Sequence, residues 1–445
     1  MAAPAPVLDT PDPSFAELLA QRPALSMDPL AGLMLEEVPL ARIAAAHGTP
    51  VWAYSATTLR RRARALRAAL AGAGLDASVH FATKANPSLA VVNLLAQEGL
   101  GADVVSEGEL RGARAAGVPA SGIVFSGVGK TEREMRLALT EDIFQLNIES
   151  VEEAAMLDAV ARSMGRRARC ALRVNPDVDA NTHAKITTGL TQNKFGVPIA
   201  MAPDLYARMC AMPGLEPVGV AVHIGSQITR GIGPYAAAYR RLGELVRELR
   251  AAGHPVTRVD CGGGLGIPYR DEIPPEPAAL AGAIRAGLGD LGLHIMLEPG
   301  RWICGPAGVL LASVIIEKQS VGRRFIILDA AMNELLRPAM YEAWHGILPV
   351  APAALHAPLA LADVVGPVCE SSDTFARDRA LPALPPHSLV AILDAGAYGA
   401  SMSSTYNARP LAAEVRVEGA RFALIRERQD HAALLAGQRL PDWTA

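Results

Sequence analysis

In the stretch SVHFATKANPS a lysine, Lys84, closes an apolar, strand-like run. An unpaired ammonium is costly there, and lysine is not this chain's default cation, since only five of its 42 basic residues are lysine. A lysine set in a cavity can have its pKa depressed and condense with an aldehyde, which turns a charge into a covalent anchor. Other reactive or recognition groups follow downstream. His223 in HIGSQ offers an imidazole face. The three glycines Gly262 to Gly264 in CGGGLGIPY let backbone N–H groups approach a phosphate with no Cβ in the way. Glu298 in EPGR supplies a carboxyl that can sit beside a ring nitrogen. Arg301 in the same EPGR suits a carboxylate, because a planar guanidinium makes two parallel hydrogen bonds to one.

These residues need a frame that brings them together. From residue 78 onward eight apolar, β-branched runs recur: SVHFATK, ADVVS, IVFSG, IFQLNI, CALRVNP, GVAVHIG, RVDCGGG and IMLEPG. The intervals carry helix signals, as in SEGELRGARAAG, where Ser106 and Glu109 form an S-x-x-E capping box and Gly117 offers a stop. Strands alternating with helices predict a parallel sheet, and eight units over about 220 residues predict a TIM-type (β/α)8 barrel, with an open doubly wound sheet as the competing fold. After Pro306 the runs GVLLASVIIEKQ, RRFIILDAA, SLVAILDAG and AEVRVEGARFALIRER lack regular intervening helices and predict a C-terminal, mainly antiparallel β domain. The expected division is a barrel over 50–305, with 1–49 and 306–445 forming the β-rich part; residues 1–49 carry no clear pattern of their own. Barrel enzymes gather chemistry at the C-terminal ends of their strands. That face is expected to hold Lys84, Ser106, Asn175, His223, the glycine run, and Glu298 with Arg301.

Composition excludes several classes. A net charge of −3 gives no basic excess for nucleic acid or for a membrane surface. The five cysteines are odd in number and never form C-x-x-C, so no disulfide framework or metal site is expected and a reducing cytoplasm fits best. The N-terminus lacks the basic start and apolar run of an export signal, and no uncharged run reaches a bilayer span. CGGGLGIPY does not keep the G-x-G-x-x-G spacing of a dinucleotide fold. GVGKT places Val124 where a phosphate loop needs its first glycine.

An anchoring lysine, a phosphate cradle and a carboxylate for a ring nitrogen are the three requirements of pyridoxal phosphate. Together FATKANP, HIGSQ, CGGGLGIPY, EPGR, CESSD and GAYGASMSSTYNARP resemble the fold-type III pyridoxal-phosphate decarboxylases, and among them the diaminopimelate decarboxylase family, from about residue 45 to the C-terminus. The resemblance implies a barrel followed by a β domain, a homodimer with active sites shared across the interface, a small amino-acid substrate, and conversion of meso-2,6-diaminopimelate to L-lysine and CO2. By position it makes Lys84 the lysine that carries the cofactor and His223 the ring-stacking residue. Ser226, Gly264, Glu298, Pro299, Gly300, Arg301 and Tyr398 become cofactor-binding residues. Arg301, Arg337, Tyr341, Glu370 and Tyr398 become substrate-binding residues, and Cys369 becomes the proton donor, delivered by the second subunit.

Each residue has a plainer reading. A lone cysteine is usually a small buried hydrophobe, a strand-end histidine is often a structural group, Arg337 and Tyr341 could pair on a helix surface, and the glycines could serve close packing. Two other function classes fit the same scaffold: a decarboxylase or racemase of another amino acid, and a non-catalytic cofactor-binding protein. The second of these predicts a barrel without a C-terminal domain.

Overall fold

The computed structural model describes residues 12–179 and 194–444; the opening MAAPAPVLDTP lies outside them. Eight strands form the predicted barrel: Ala77–Ala82, Gly101–Val104, Ile123–Phe125, Gln145–Ile148, Ala168–Asn175, Leu215–Val222, Arg258–Asp260 and His294–Leu297. All neighbours are parallel, and pairing of the first strand with the eighth and of the fourth with the fifth closes the ring. Helices return the chain between strands because their termini are locally specified. Thr131 and Glu134 form a reciprocal capping box, and Ser55 and Ser150 each accept a hydrogen bond from the backbone three residues on. The Ser106 to Glu109 box forms by half. Ser106 accepts from Glu109 N, but the Glu109 carboxylate turns to Val105 N (2.9 Å) and to the Thr83 hydroxyl (2.6 Å), tying the second strand's loop to the first.

The second sheet runs Thr374–Leu381, Ala360–Val365, Arg323–Leu328, Gly308–Ser320, Val51–Ser55, Ala413–Glu418, Arg421–Arg426, with Leu389–Ile392 also paired to Gly308–Ser320. It is mainly antiparallel, with two parallel pairings. The strand Val51–Ser55 falls inside the span expected for the barrel, yet it pairs with Gly308–Ser320 and Ala413–Glu418. Its five residues are all buried, so both faces are covered as in an interior strand. The preceding segment also joins this domain. Leu18, Leu33, Leu35 and Ile43 pack with Val309, Leu348 and Val415 in a second apolar cluster. Arg22 makes a buried ion pair with Asp394, donating from Nε at 2.8 Å. This packing is invisible in residues 1–49 alone, because the partners lie more than 260 positions away.

The barrel strands carry buried polar side chains along their length: His80 and Gln145 lie deeper, level with the starts of neighbouring strands, and Asp103, Asn147, Arg173 and Asp260 lie toward the C-terminal ends of theirs. Buried polar groups persist where they bond one another, and these lead directly to the barrel mouth. Among the described residues no helix is long and apolar enough to cross a membrane.

Candidate active site

A cavity of about 710 Å3 opens where the barrel mouth meets the second domain. Lys84, His223, Ser226, Gly264, Glu298, Gly300, Arg301, Arg337, Tyr341 and Tyr398 all line it. Lys84 sits in the turn Thr83–Ala85 after the first strand, and its Nζ donates to Asp103 Oδ2 at 2.9 Å. Burial by itself lowers the ammonium's pKa, but the charges of Asp103, Glu298 and Tyr398 outweigh it, and the pKa ends raised. The depression expected from the sequence is therefore reversed, and the amine rests protonated against Asp103. Gly300 permits this arrangement, since a Cβ there would lie 2.9 Å from the Ala85 side chain. Pro299 lies behind the wall, where its carbonyl accepts from Ala82 N at 3.1 Å.

Glu298 is buried at the cavity floor, where it accepts from Ser126 Oγ at 3.1 Å. Asn147 Nδ2 lies between Ser126 Oγ (3.0 Å), Asp260 Oδ2 (2.9 Å) and Glu298 Oε1 (3.5 Å). Burial first, then the nearby Asp103 and Asp260 carboxylates, push the Glu298 pKa well up, while the Lys84 ammonium opposes the shift. His223 takes the opposite shift. Burial, together with the positive Arg173 and Lys84, lowers its pKa well below the usual range. Its Nδ1 accepts from Gly263 N at 3.2 Å, so the ring is neutral.

The glycine run serves packing more than it serves a phosphate. A Cβ on Gly262 would meet the Val222 carbonyl at 2.2 Å, and one on Gly263 the Glu298 carbonyl at 2.2 Å. Their N–H groups already bond Asp260 (2.9 Å) and His223. Of the three glycines only Gly264 reaches the cavity. Ser106 caps its helix, and Asn175 accepts from Asp177 N at 3.1 Å; neither lines the cavity. Lys130 of GVGKT is buried, with its Nζ on the Gly127 and Asn147 carbonyls (both 2.7 Å) and on Glu153. That clamp ties the loop that carries Ser126 to the strand that carries Asn147.

Two arginines form the outer wall. Arg301 Nη1 donates to Tyr269 Oη (2.8 Å) and Nη2 to Ser226 Oγ (3.2 Å), with its guanidinium 4.8 Å from the Tyr398 ring centroid. Arg337 begins the short helix Arg337–Tyr341, which turns both of those residues to the same cavity. Its Nη1 donates to neutral His345 at 2.7 Å, and burial pushes its pKa down to about 10. Among the described residues neither guanidinium forms an ion pair with a carboxylate.

Cys369 and Glu370 stand apart. Both are exposed, on the turn between Ala360–Val365 and Thr374–Leu381, and neither lines the cavity of its own chain. The four other cysteines are buried or half-buried.

Sequence reasoning missed Asp103, Ser126, Asn147, Asp260, Tyr269 and His345. A signal for some of them was present: Gln145 and Asn147 alternate with apolar residues in QLNI, which is how an inward-facing polar row reads on a barrel strand.

The chain's own atoms fit pyridoxal phosphate. An amine, a neutral imidazole and a buried carboxyl converge from three strand ends, and the buried atoms Asp103 Oδ1 and Arg301 Nε lack hydrogen-bond partners among the described residues, as befits a site that gains partners from a bound group. Barrel, mouth and following β domain thus define a pyridoxal-phosphate decarboxylase of the barrel class. In agreement, the family described as pyridoxal-dependent decarboxylase, pyridoxal binding domain, matches residues 56–305. Diaminopimelate decarboxylase of Zymomonas mobilis is 49% identical over 414 residues, covering 92% of this chain and 97% of that protein. The crystal structure of the Helicobacter pylori diaminopimelate decarboxylase complexed with L-lysine aligns with a TM-score of 0.86 at 38% identity, covering 89% of this chain and 98% of that one. The M. jannaschii diaminopimelate decarboxylase in co-complex with L-lysine aligns with a TM-score of 0.88 at 35% identity, covering 96% and 100%. The chain belongs to the diaminopimelate decarboxylase family.

Proposed function

We propose that this protein decarboxylates meso-2,6-diaminopimelate to L-lysine and CO2, the last step of lysine biosynthesis. The observation that carries this reading is the pair of buried guanidiniums, Arg301 and Arg337, without carboxylate partners among the described residues, in one cavity with Lys84 and Glu298. When bound, pyridoxal phosphate supplies an electron sink for the electron pair that departing CO2 leaves behind. Lys84 is the residue that would hold it, with Glu298 at the ring nitrogen and the uncharged face of His223 against the ring. Ser226, Gly264, Pro299, Gly300, Arg301 and Tyr398 complete the cofactor's surroundings. Arg301, Arg337, Tyr341 and Tyr398 bind and orient the amino-acid substrate.

The remaining step is a proton delivered to the carbon that has lost CO2. We assign it to the Cys369 thiol of a second copy of the chain, with the adjacent Glu370 on the substrate's distal amine. This makes the working form a homodimer with shared sites, in the cytoplasm. Support comes from the exposure of both residues on a turn outside their own cavity. The test is CO2 release by the cofactor-loaded protein from meso-diaminopimelate, ornithine, arginine and carboxynorspermidine in parallel. Release from diaminopimelate, with lysine as product, is the expected result; release from another of the four overturns the substrate, and silence from all four the activity.

A further inference from the structure

Tyr269, the last residue of CGGGLGIPY, has no role in the reading above, yet it touches both substrate arginines. Its hydroxyl oxygen accepts from Arg301 Nη1 at 2.8 Å. The Arg337 guanidinium lies 4.5 Å from its ring centroid. The ring's edge packs on His345, centroids 5.1 Å apart at 73°, and His345 in turn accepts from Arg337. One side chain therefore sets the positions of two buried like charges, with its oxygen holding one and its electron-rich face holding the other. Its backbone is clamped on both sides: Tyr269 N donates to Glu272 at 2.8 Å, and its carbonyl accepts from Arg22 Nη2 at 3.2 Å. Arg22 is itself fixed by Asp394, so the N-terminal segment reaches the substrate wall through this residue.

We propose that Tyr269 is the positioning residue that aligns Arg301 and Arg337 for a substrate carboxylate, using its hydroxyl for one and its ring face for the other. The proposal rests on the reading of these arginines as carboxylate binders. Tyr269 stands in for the carboxylate that would otherwise neutralise them, and so leaves their remaining N–H groups to the ligand.

The test compares L-lysine with cadaverine, the same diamine chain without a carboxylate, by calorimetric titration of the cofactor-loaded wild type, Tyr269→Phe and Tyr269→Leu. Losing a hydrogen bond to a charged group predicts L-lysine binding about tenfold weaker in Tyr269→Phe, with cadaverine within about twofold of wild type. Tyr269→Leu also removes the ring face and weakens L-lysine further. Equal loss for both ligands in Tyr269→Phe means a merely structural role and overturns the proposal, as does unchanged L-lysine binding. A wild type that binds L-lysine no better than cadaverine overturns the carboxylate reading itself. Tyr269→Phe keeps the ring's volume, so it carries the test if Tyr269→Leu does not fold.

Discussion

The barrel mouth and the Cys369 turn differ in nearly every physical respect. At the mouth, Glu298 and Arg301 are buried and cross-bonded, with pKa values moved by burial and by neighbouring charge. Cys369 and Glu370 sit on an exposed turn. Yet that turn is not loose: Asp373 accepts from Met332 N (2.7 Å) and Val368 N (2.8 Å), and Cys369 N donates to Asn407 at 3.0 Å. The turn thus presents a thiol and a carboxylate to solvent from a well-held backbone, as the proposed role in a second chain requires. The contrast teaches that preorganisation and burial are separable. On the proposed reading, the first half of the site is finished within one chain, and the second half is held ready for another.

Substitutions on the two sides should separate their roles. Lys84→Ala should have the largest effect, lowering activity by ~10⁴-fold or more and removing the visible absorbance of lysine-bound cofactor. A normal spectrum in this variant breaks the mouth's assignment. Cys369→Ala should reduce kcat by roughly 10²–10⁴-fold, the usual worth of a positioned acid, while the absorbance stays unchanged. Loss of the absorbance would place Cys369 on the cofactor side instead. Asp373→Ala should loosen the turn and lower kcat roughly tenfold, again with the cofactor spectrum intact, because it misplaces the thiol without removing it. An unaltered kcat would show that the turn's order is immaterial.

The smallest effect concerns stability on the β-domain side. Glu334 lies in the loop beside Met332, and burial raises its pKa to about 7. A carboxyl whose pKa is raised on folding binds more protons folded than unfolded, so stability falls as pH rises from about 4.5 to about 7. Glu334→Gln should escape this, gaining on the order of 2 kcal/mol relative to wild type between pH 5 and pH 8. A pH-independent difference in denaturant midpoints removes Glu334 as the titrating group.

Much of the fold was legible because its signals are local. Each of the eight barrel strands announces itself as an apolar run, and Lys84, His223, Glu298 and Arg301 follow directly after such runs. Other features depend on distant partners. Val51–Ser55 reads like one more barrel strand until its neighbours are known, and they come from Gly308–Ser320 and Ala413–Glu418. Asp103, Asn147 and Asp260 meet only because three strands close around one axis. The raised pKa of Lys84 has the same origin, since Asp103 is 19 residues away in sequence. The glycine run was half legible: its need for close approach was evident, but what approaches it is mostly the protein's own carbonyls. Tyr269 lay inside a quoted motif unrecognised, because its partners Arg301 and Arg337 flank it only in three dimensions.

The most direct test of a site divided between two chains is mixing. Lys84→Ala and Cys369→Ala proteins, each strongly impaired alone, are combined under conditions of demonstrated subunit exchange, and CO2 release from meso-diaminopimelate is measured against the sum of the two separate rates. The account predicts that activity returns on mixing, because a mixed dimer pairs one intact mouth with one intact thiol. No gain over that sum despite exchange would contradict it, and would return proton donation to a group within the Lys84 chain.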